Sequence, residues 1–174
     1  ASSITGALPA IDGSALTNLP GGGKVLQVVA VHKTDVWSTS SSTLVDVTGL
    51  TINITPSSTS SKILVIASVT GLATDNSAVQ LQRNGTIIAG GDAAGSRTQS
   101  FTGSFYNGNI GVPSLGGHSI SWLDTPSTTS AVTYKIKGGA VGGGILYLGQ
   151  NTADSANAQH TRTPQVITVM EIGA

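Results

Sequence analysis

The arrangement of apolar residues restricts the fold of this chain more than any other feature of its sequence. Val, Ile and Leu are concentrated in short segments bounded by Ser, Gly, Pro or Asn, and no segment has a convincing apolar stripe with a helical period of about 3.6 residues. Short β-branched segments between turn-forming residues are typical of strands. The segments expected to be strands are 24–32, 43–55, 62–70, 77–83, 100–106, 118–124, 131–137, 144–149 and 165–173.

Two local signals predict how these strands bend and connect. Asn84 and Gly85 lie between "AVQLQ" and "TIIAG", which favours a hairpin with a two-residue turn. In segment 43–55 the apolar alternation becomes regular only after Gly49. A bulge or bend at Thr48–Gly49 would restore the inward phase of the apolar side chains.

Regularly spaced short strands predict an all-β fold, and the architecture we expect is an antiparallel β-sandwich or jelly-roll-like head. This head is expected to comprise residues 24–174. Residues 1–23 differ from it, because they contain two similar Pro- and Gly-containing units, "ALPAIDG" and "ALTNLPG", and are too short to form a core of their own. They are expected to form a short, extended shaft segment.

The large apolar residues of this segment need a surface to pack against. A flexible linker is one interpretation, although linkers usually lack regularly placed Ile and Leu. If identical chains wind about a common axis, each copy covers the apolar residues of the next. The residues expected at such a contact between copies are Ile4, Leu8, Ile11, Leu16 and Leu19.

The charge content argues against two classes of partner. The chain has 8 basic and 8 acidic residues and no net charge, so it lacks the basic surface that nucleic acids and acidic membranes require. No apolar run approaches the length of about 18 residues that a membrane span needs. We therefore expect neither nucleic-acid binding nor membrane insertion.

The start "ASSITG" has no Met and no signal-peptide pattern, which indicates a piece of a longer protein.

Several strings occur together that are characteristic of one class of viral protein. They are "LPAIDGSALTNLPGGGKVLQVV", "VTGLTINITPSSTSSKILVIASV", "LDTPSTTSAVTYKIK" and "RTPQVITVMEIGA". With these strings almost the whole chain resembles the distal, C-terminal receptor-binding region of bacteriophage and cyanophage tail fibres. The resemblance implies a homotrimeric fibre in the virion, with the remainder of the fibre upstream and a jelly-roll-like head that touches the host surface.

The ionisable residues give little support to an enzyme. Glu171 is the one Glu of the chain, and the Asp residues are scattered singly, so a carboxylate pair for glycan cleavage would have to form in the fold or across subunits. No G-x-S-x-G motif supports a Ser-His-Asp arrangement. His32 and His118 lie at strand edges, where hydrogen-bonded structural roles are expected, and the spacing of the histidines, including His160, is not typical of a metal site. We expect no catalysis, no metal and no cofactor.

The run "GGAVGGG" at 138–144 lacks the Lys-Ser/Thr ending of a phosphate-binding loop. A mobile loop is favoured there over a close crossing of two backbones. Among the aromatic residues, Phe101, Trp122 and Tyr134 fall at apolar positions within strands and are expected in the core.

Receptor contacts are expected in two long polar loops, because binding residues concentrate in loops with few packing obligations. The sequence therefore favours a non-enzymatic fibre tip that binds a host cell-surface glycan or protein. Two alternatives stay open: a structural decoration or capping protein of the virion, and a glycan-degrading tail spike with a carboxylate pair. The candidate receptor-binding residues are Tyr106, Asn107 and Asn109 in one loop, and Asn157, Gln159, His160 and Arg162 in the other.

Overall fold

The computed structural model describes residues 23–103, 115–152, 154–156, 158 and 160–173. These residues form eleven strands. Within the same residues there is no helix that is long and apolar enough to cross a membrane. The strands are β1 (Val25–Lys33), β2 (Trp37–Thr39), β3 (Val45–Ile54), β4 (Lys62–Ala73), β5 (Ala78–Arg83), β6 (Thr86–Ile87), β7 (Thr102–Gly103), β8 (Gly116–Asp124), β9 (Val132–Gly139), β10 (Leu146–Leu148) and β11 (Gln165–Ile172).

The strands pair into two antiparallel sheets. In the first sheet β11 and β8 pair with opposite edges of β4, and β1 pairs with β11, which gives the order β1-β11-β4-β8. The short strands β10 and β2 continue this sheet from the end of β4. The second sheet has the order β3-β9-β5-β6, with β7 also paired to β5. These two orders confirm the predicted all-β, jelly-roll-like sandwich.

The core lies between the two sheets and follows from the period of two along each strand. In β4 and β9, alternate residues are buried while their neighbours face outward. The fully buried apolar side chains come from both sheets, so each sheet covers the inner face of the other. They include Val47, Leu50, Ile63, Val65, Leu81, Tyr134, Ile136, Leu146, Leu148 and Ile167.

Both local predictions of chain direction are confirmed. Asn84 and Gly85 have positive φ angles of 47° and 86° and connect β5 to β6 in a two-residue turn. Gly49 has a φ of 88°, and the register between β3 and β9 shifts between Asp46 and Thr51. The bulge therefore brings the apolar residues on both sides of Gly49 to the same inner face.

The preference for a mobile loop at the Gly run was wrong. A Cβ atom on Gly142 would lie 2.5 Å from Asp75 Oδ1, and one on Gly144 would overlap the Thr74 hydroxyl. The backbone of this run is also bonded to its neighbour, because Gly142 N donates to the Asn76 carbonyl at 2.9 Å. The run is a close crossing against the β4–β5 connection, where only glycine leaves enough space.

The aromatic predictions are confirmed in part. Tyr134 is fully buried, and Phe101 is partly buried against the core. Trp122 is 39% exposed, contrary to the prediction, because β8 is an edge strand whose inner face the second sheet covers only in part. Trp37 begins the short strand β2, which the sequence did not predict, and packs against the core.

The predicted inter-chain contacts Ile4, Leu8, Ile11, Leu16 and Leu19 lie outside the described residues.

Glu171 is buried and holds one end of the sandwich together. Its Oε1 accepts hydrogen bonds from Ser57 N at 2.7 Å and from Ser57 Oγ at 2.6 Å, and its Oε2 accepts one from Gln27 Nε2 at 2.6 Å. Burial alone raises the pKa of this carboxyl, but the hydrogen bonds from Ser57 and Gln27 outweigh it and lower the pKa from 4.5 to about 2. The carboxylate therefore ties the β3–β4 connection to β1 and β11.

Glu171→Gln is expected to destabilise the fold at neutral pH by about 1.5–3 kcal/mol, because it weakens hydrogen bonds to a charged group. Because the folded-state pKa is lowered, the contribution of the carboxylate is present above about pH 4.5 and is lost as the pH falls towards 2. Urea denaturation of both proteins at several pH values should show a difference that shrinks below pH 4.5. A difference independent of pH would contradict this role.

Gly144→Ala is expected to destabilise the fold by about 1–3 kcal/mol, because the added methyl group would overlap Thr74 and the backbone of Asp75. Gly91→Ala is the matched control, since a Cβ at Gly91 meets nothing within 4 Å. The comparison is made by thermal and urea denaturation. Equal stability of the two variants would show that the crossing can widen without cost.

Candidate functional site

A polar cleft is formed by the loop between β10 and β11, residues 149–164. Its volume is about 540 Å³, and it is lined by Asp154, Ser155, Ala156, His160 and Arg162. Two of the predicted receptor-binding residues, His160 and Arg162, are therefore brought together in one concave surface. Ligand sites are usually concave, and a small number of converging polar groups gives them their specificity.

Hydrogen bonds within the loop hold the side chains of the cleft. Arg162 binds Asp154 with two parallel hydrogen bonds, Nε to Oδ1 at 3.0 Å and Nη2 to Oδ2 at 2.8 Å. The side chains of this pair remain 59% and 37% exposed, respectively. Ser155 Oγ lies 2.7 Å from His160 Nδ1. The cleft thus presents a guanidinium, a carboxylate, a hydroxyl and an imidazole that solvent can reach.

Buried hydrogen bonds fix both ends of the loop to the first sheet. Gly149 N donates to the Thr70 carbonyl at 2.9 Å, and Thr163 N donates to the Gly149 carbonyl at 3.1 Å. Gln165 is fully buried, accepts from Thr70 N at 2.6 Å and donates to the Thr163 carbonyl at 3.0 Å. The rigid strand β4 therefore positions the cleft through both ends of its loop.

The register of β1 and β11 places the cleft at one end of the sandwich. Val25, where residues 1–22 join the described fold, pairs with Ile172. Lys33, at the other end of β1, pairs with Gln165, which follows the cleft loop directly. Eight residue steps separate Val25 from Lys33 along the strand, or about 26 Å at about 3.3 Å per residue.

The other predicted receptor-binding residues, Tyr106, Asn107, Asn109, Asn157 and Gln159, lie outside the described residues.

The first residue of β8 lies at the same end of the sandwich as the cleft. Gly116 pairs with Gly71, close to Ser68, which pairs with Val166 at the start of β11. The chain between β7 and β8, which carries the candidate residues Tyr106, Asn107 and Asn109, therefore rejoins the fold at the end of the first sheet that carries the cleft.

Three of the described Asp side chains are paired with basic residues. Asp154 is paired with Arg162, Asp46 accepts from Lys135 Nζ at 2.7 Å, and Asp124 accepts two hydrogen bonds from Arg83. Within the ranges that the structure describes, no three His, Asp or Glu side chains form a group that would hold a metal ion.

His118 has the structural role that the sequence predicted. Its Nδ1 lies 2.5 Å from Thr102 Oγ1, and burial lowers the pKa of its imidazole. This contact joins β8 of the first sheet to β7 of the second sheet.

Sequence reasoning did not select Asp154 and Ser155 as part of the site. The signal for Asp154 was present, because Asp154 and Arg162 are the only Asp, Glu, Lys or Arg residues between Lys137 and Glu171. Two opposite charges in one loop with no other charge nearby favour a pair. Ser155 had no comparable signal, since Ser is abundant throughout the chain.

Comparison with known proteins identifies no family. No family model and no curated protein matches the sequence. Among solved structures, the Eiger TNF from S. frugiperda has a TM-score of 0.38 and 7% sequence identity, over 84% of this chain and 93% of that chain. An overlap this loose carries no argument about fold or function.

Gln165→Leu is expected to destabilise the fold by about 1–3 kcal/mol, because it leaves the Thr70 N–H and the Thr163 carbonyl without their buried partner. Hydrogen exchange should also become faster in the loop 149–164. Gln99→Leu is the matched control, since the Gly91 carbonyl that the Gln99 amide contacts is exposed to water. If the two variants have equal stability and equal exchange in the cleft loop, Gln165 does not position the cleft.

Proposed function

We propose that this chain is the head of a viral tail fibre, which binds a host cell-surface glycan or protein as a homotrimer and does so without catalysis. The observation that carries the proposal is the position of the polar cleft at the end of the sandwich opposite Val25. The sequence resemblance to tail fibres supplies the biological setting, a virion whose fibre acts outside the host cell.

The direction of the chain supports this orientation of the head. Residues 1–23, as a shaft segment joined to the remainder of the fibre, would attach where β1 begins. The cleft loop leads into β11 about 26 Å away along the sheet, so it would face away from the virion. A receptor site has to lie at this outer end to meet the host surface.

The groups in the cleft suit a neutral ligand that is rich in hydroxyl or amide groups. Arg162 and Asp154 together have no net charge and offer both donors and an acceptor, while Ser155 and His160 add a hydroxyl and an imidazole. Such groups favour sugars or polar peptide segments over strongly charged polymers. Weak binding at one cleft suffices, because several copies on one particle raise the effective concentration of the next site.

The same geometry favours binding over glycan hydrolysis. Retaining hydrolysis needs two carboxyl groups about 5–5.5 Å apart, one of them protonated as an acid. Asp154 is the one described carboxylate that lines the cleft, and both of its oxygens accept hydrogen bonds from Arg162. Release of reducing ends from host polysaccharide would instead support a tail spike, and absence of any cell binding would support a decoration protein.

Arg162→Ala is expected to weaken saturable binding to host cells at least about tenfold, or about 1.4 kcal/mol, because it removes the cation of the cleft and frees Asp154. Fold stability should change by less than about 1 kcal/mol, since the pair is exposed. Arg97→Ala removes the same charge from another exposed loop and serves as the control. Equal binding by both variants would place the receptor site elsewhere.

A further inference from the structure

The outward face of the first sheet carries a row of large apolar side chains that crosses all four of its long strands. The pairing registers align Leu123 of β8, Leu64 of β4, Met170 of β11 and Val28 of β1 in one row. Val28 is 55% exposed and Leu123 is 51% exposed. A row of large apolar side chains that crosses a whole sheet and faces solvent marks a surface that another molecule covers.

The next row carries one large side chain between small ones. Ile66 of β4 is 37% exposed and is aligned with Ser121 of β8, Thr168 of β11 and Ala30 of β1. Small neighbours let an opposing surface approach the sheet closely around Ile66. A central, well-packed side chain of this kind typically supplies much of the binding energy of an interface.

The second sheet shows that this apolar surface is not a general result of the low charge content of the chain. On its outward face Lys135 Nζ binds Asp46 Oδ2 at 2.7 Å, and Thr133 Oγ1 donates to Asn53 Oδ1 at 2.7 Å. One outer face is therefore polar and suited to water, while the other exposes Leu, Ile and Val. This difference indicates that the outer face of the second sheet contacts water, whereas the outer face of the first sheet contacts another molecule.

We propose that copies of this chain associate through the outward face of the first sheet, β1-β11-β4-β8. The inference rests on the proposed homotrimer and names the surface that forms it. The register places two titratable residues on this four-stranded face, Lys62 and His32. Lys62 is the first residue of β4, and His32 is the last but one residue of β1, so the two lie at opposite ends of the face. Because the centre carries no charge, the face can meet its own copy without like-charge repulsion.

The size and position of the face fit a second copy as its partner. Four strands of eight or nine paired residues cover about 600 Å² in projection. In a trimer this face would be shared between two neighbours, and contacts between the shaft segments would add to it to reach the roughly 800 Å² that each partner of a stable interface buries. The row from Leu123 to Val28 also lies towards the end where residues 1–22 join β1, so contacts between shafts would continue into contacts between heads.

The test uses the full chain and measures its mass in solution by light scattering. The wild type is expected near three times 17.4 kDa. Ile66→Asp places a charge at the centre of the face and should weaken the trimer, so that its mass falls towards that of one chain at a higher protein concentration than for the wild type. Thr51→Asp, on the outward face of the second sheet, is the matched control and should keep the mass of the wild type.

Each outcome decides the proposal. A monomeric wild type overturns it, which is also the result expected if residues 1–22 of the same chain or a foreign protein cover the face. An Ile66→Asp variant that dissociates at the same protein concentration as the wild type, with circular dichroism like that of the wild type, overturns the surface but leaves the homotrimer intact. If Ile66→Asp does not fold, Leu123→Lys on the edge strand β8 is measured in the same way, and dissociation at the same concentration as the wild type again contradicts the proposal.

The receptor function is tested separately from this surface. Arg162→Ala changes the cleft, which lies in a different part of the molecule, and should keep the mass of the wild type. Loss of binding in Arg162→Ala with the trimer intact supports the cleft whatever the result for Ile66. Loss of the trimer in Ile66→Asp supports the surface whatever the cleft binds.

Discussion

The apolar layer between the two sheets is the interaction on which the rest of the structure depends. Each sheet contributes every second residue of its strands to this layer, and burying these side chains supplies the main favourable free energy of folding. A polar contact joins the two sheets at the β8 edge of this layer, where the buried Tyr134 hydroxyl of β9 donates a hydrogen bond to Asp124 of β8 at 2.6 Å. Burial and this hydrogen bond raise the pKa of Tyr134 well above its usual value, so the hydroxyl stays protonated as the donor. Once the inner residues are fixed, the outer faces and the ends of the sandwich are fixed as well.

The two outer faces and the two ends of the sandwich then have different properties. The outer face of the second sheet carries ion pairs and suits water, whereas that of the first sheet exposes a row of large apolar side chains, where we propose that copies of the chain meet. One end receives residues 1–22, and the other carries the cleft around Asp154 and Arg162. Attachment, assembly and receptor binding can therefore occupy separate surfaces of one small fold. Because the surfaces are separate, a substitution in one is expected to leave the others unchanged.

Local sequence patterns predicted most of the strands, though not β2, and did not predict how distant segments meet. Alternation, the Asn84–Gly85 turn and the bulge at Gly49 depend on neighbouring residues, so they could be predicted and are confirmed. The packing of Gly142 against Asp75 and the exposure of Trp122 depend on which segments the fold brings together, which no local pattern specifies. The same limit applies to the site: the polar loop identified His160 and Arg162, while the cleft also needs Ser155, which composition does not distinguish from many other serines.

The central proposal is that three copies of this chain place their first sheets at a common axis and their clefts at the outer end. Electron cryomicroscopy of the full chain would test this arrangement most directly. The account predicts a three-fold particle in which β1, β11, β4 and β8 of each copy face the neighbouring copies, with loops 149–164 at the end opposite residues 1–22. A particle whose first sheet faces solvent, or whose cleft loops lie beside the N-terminal segments, would contradict it.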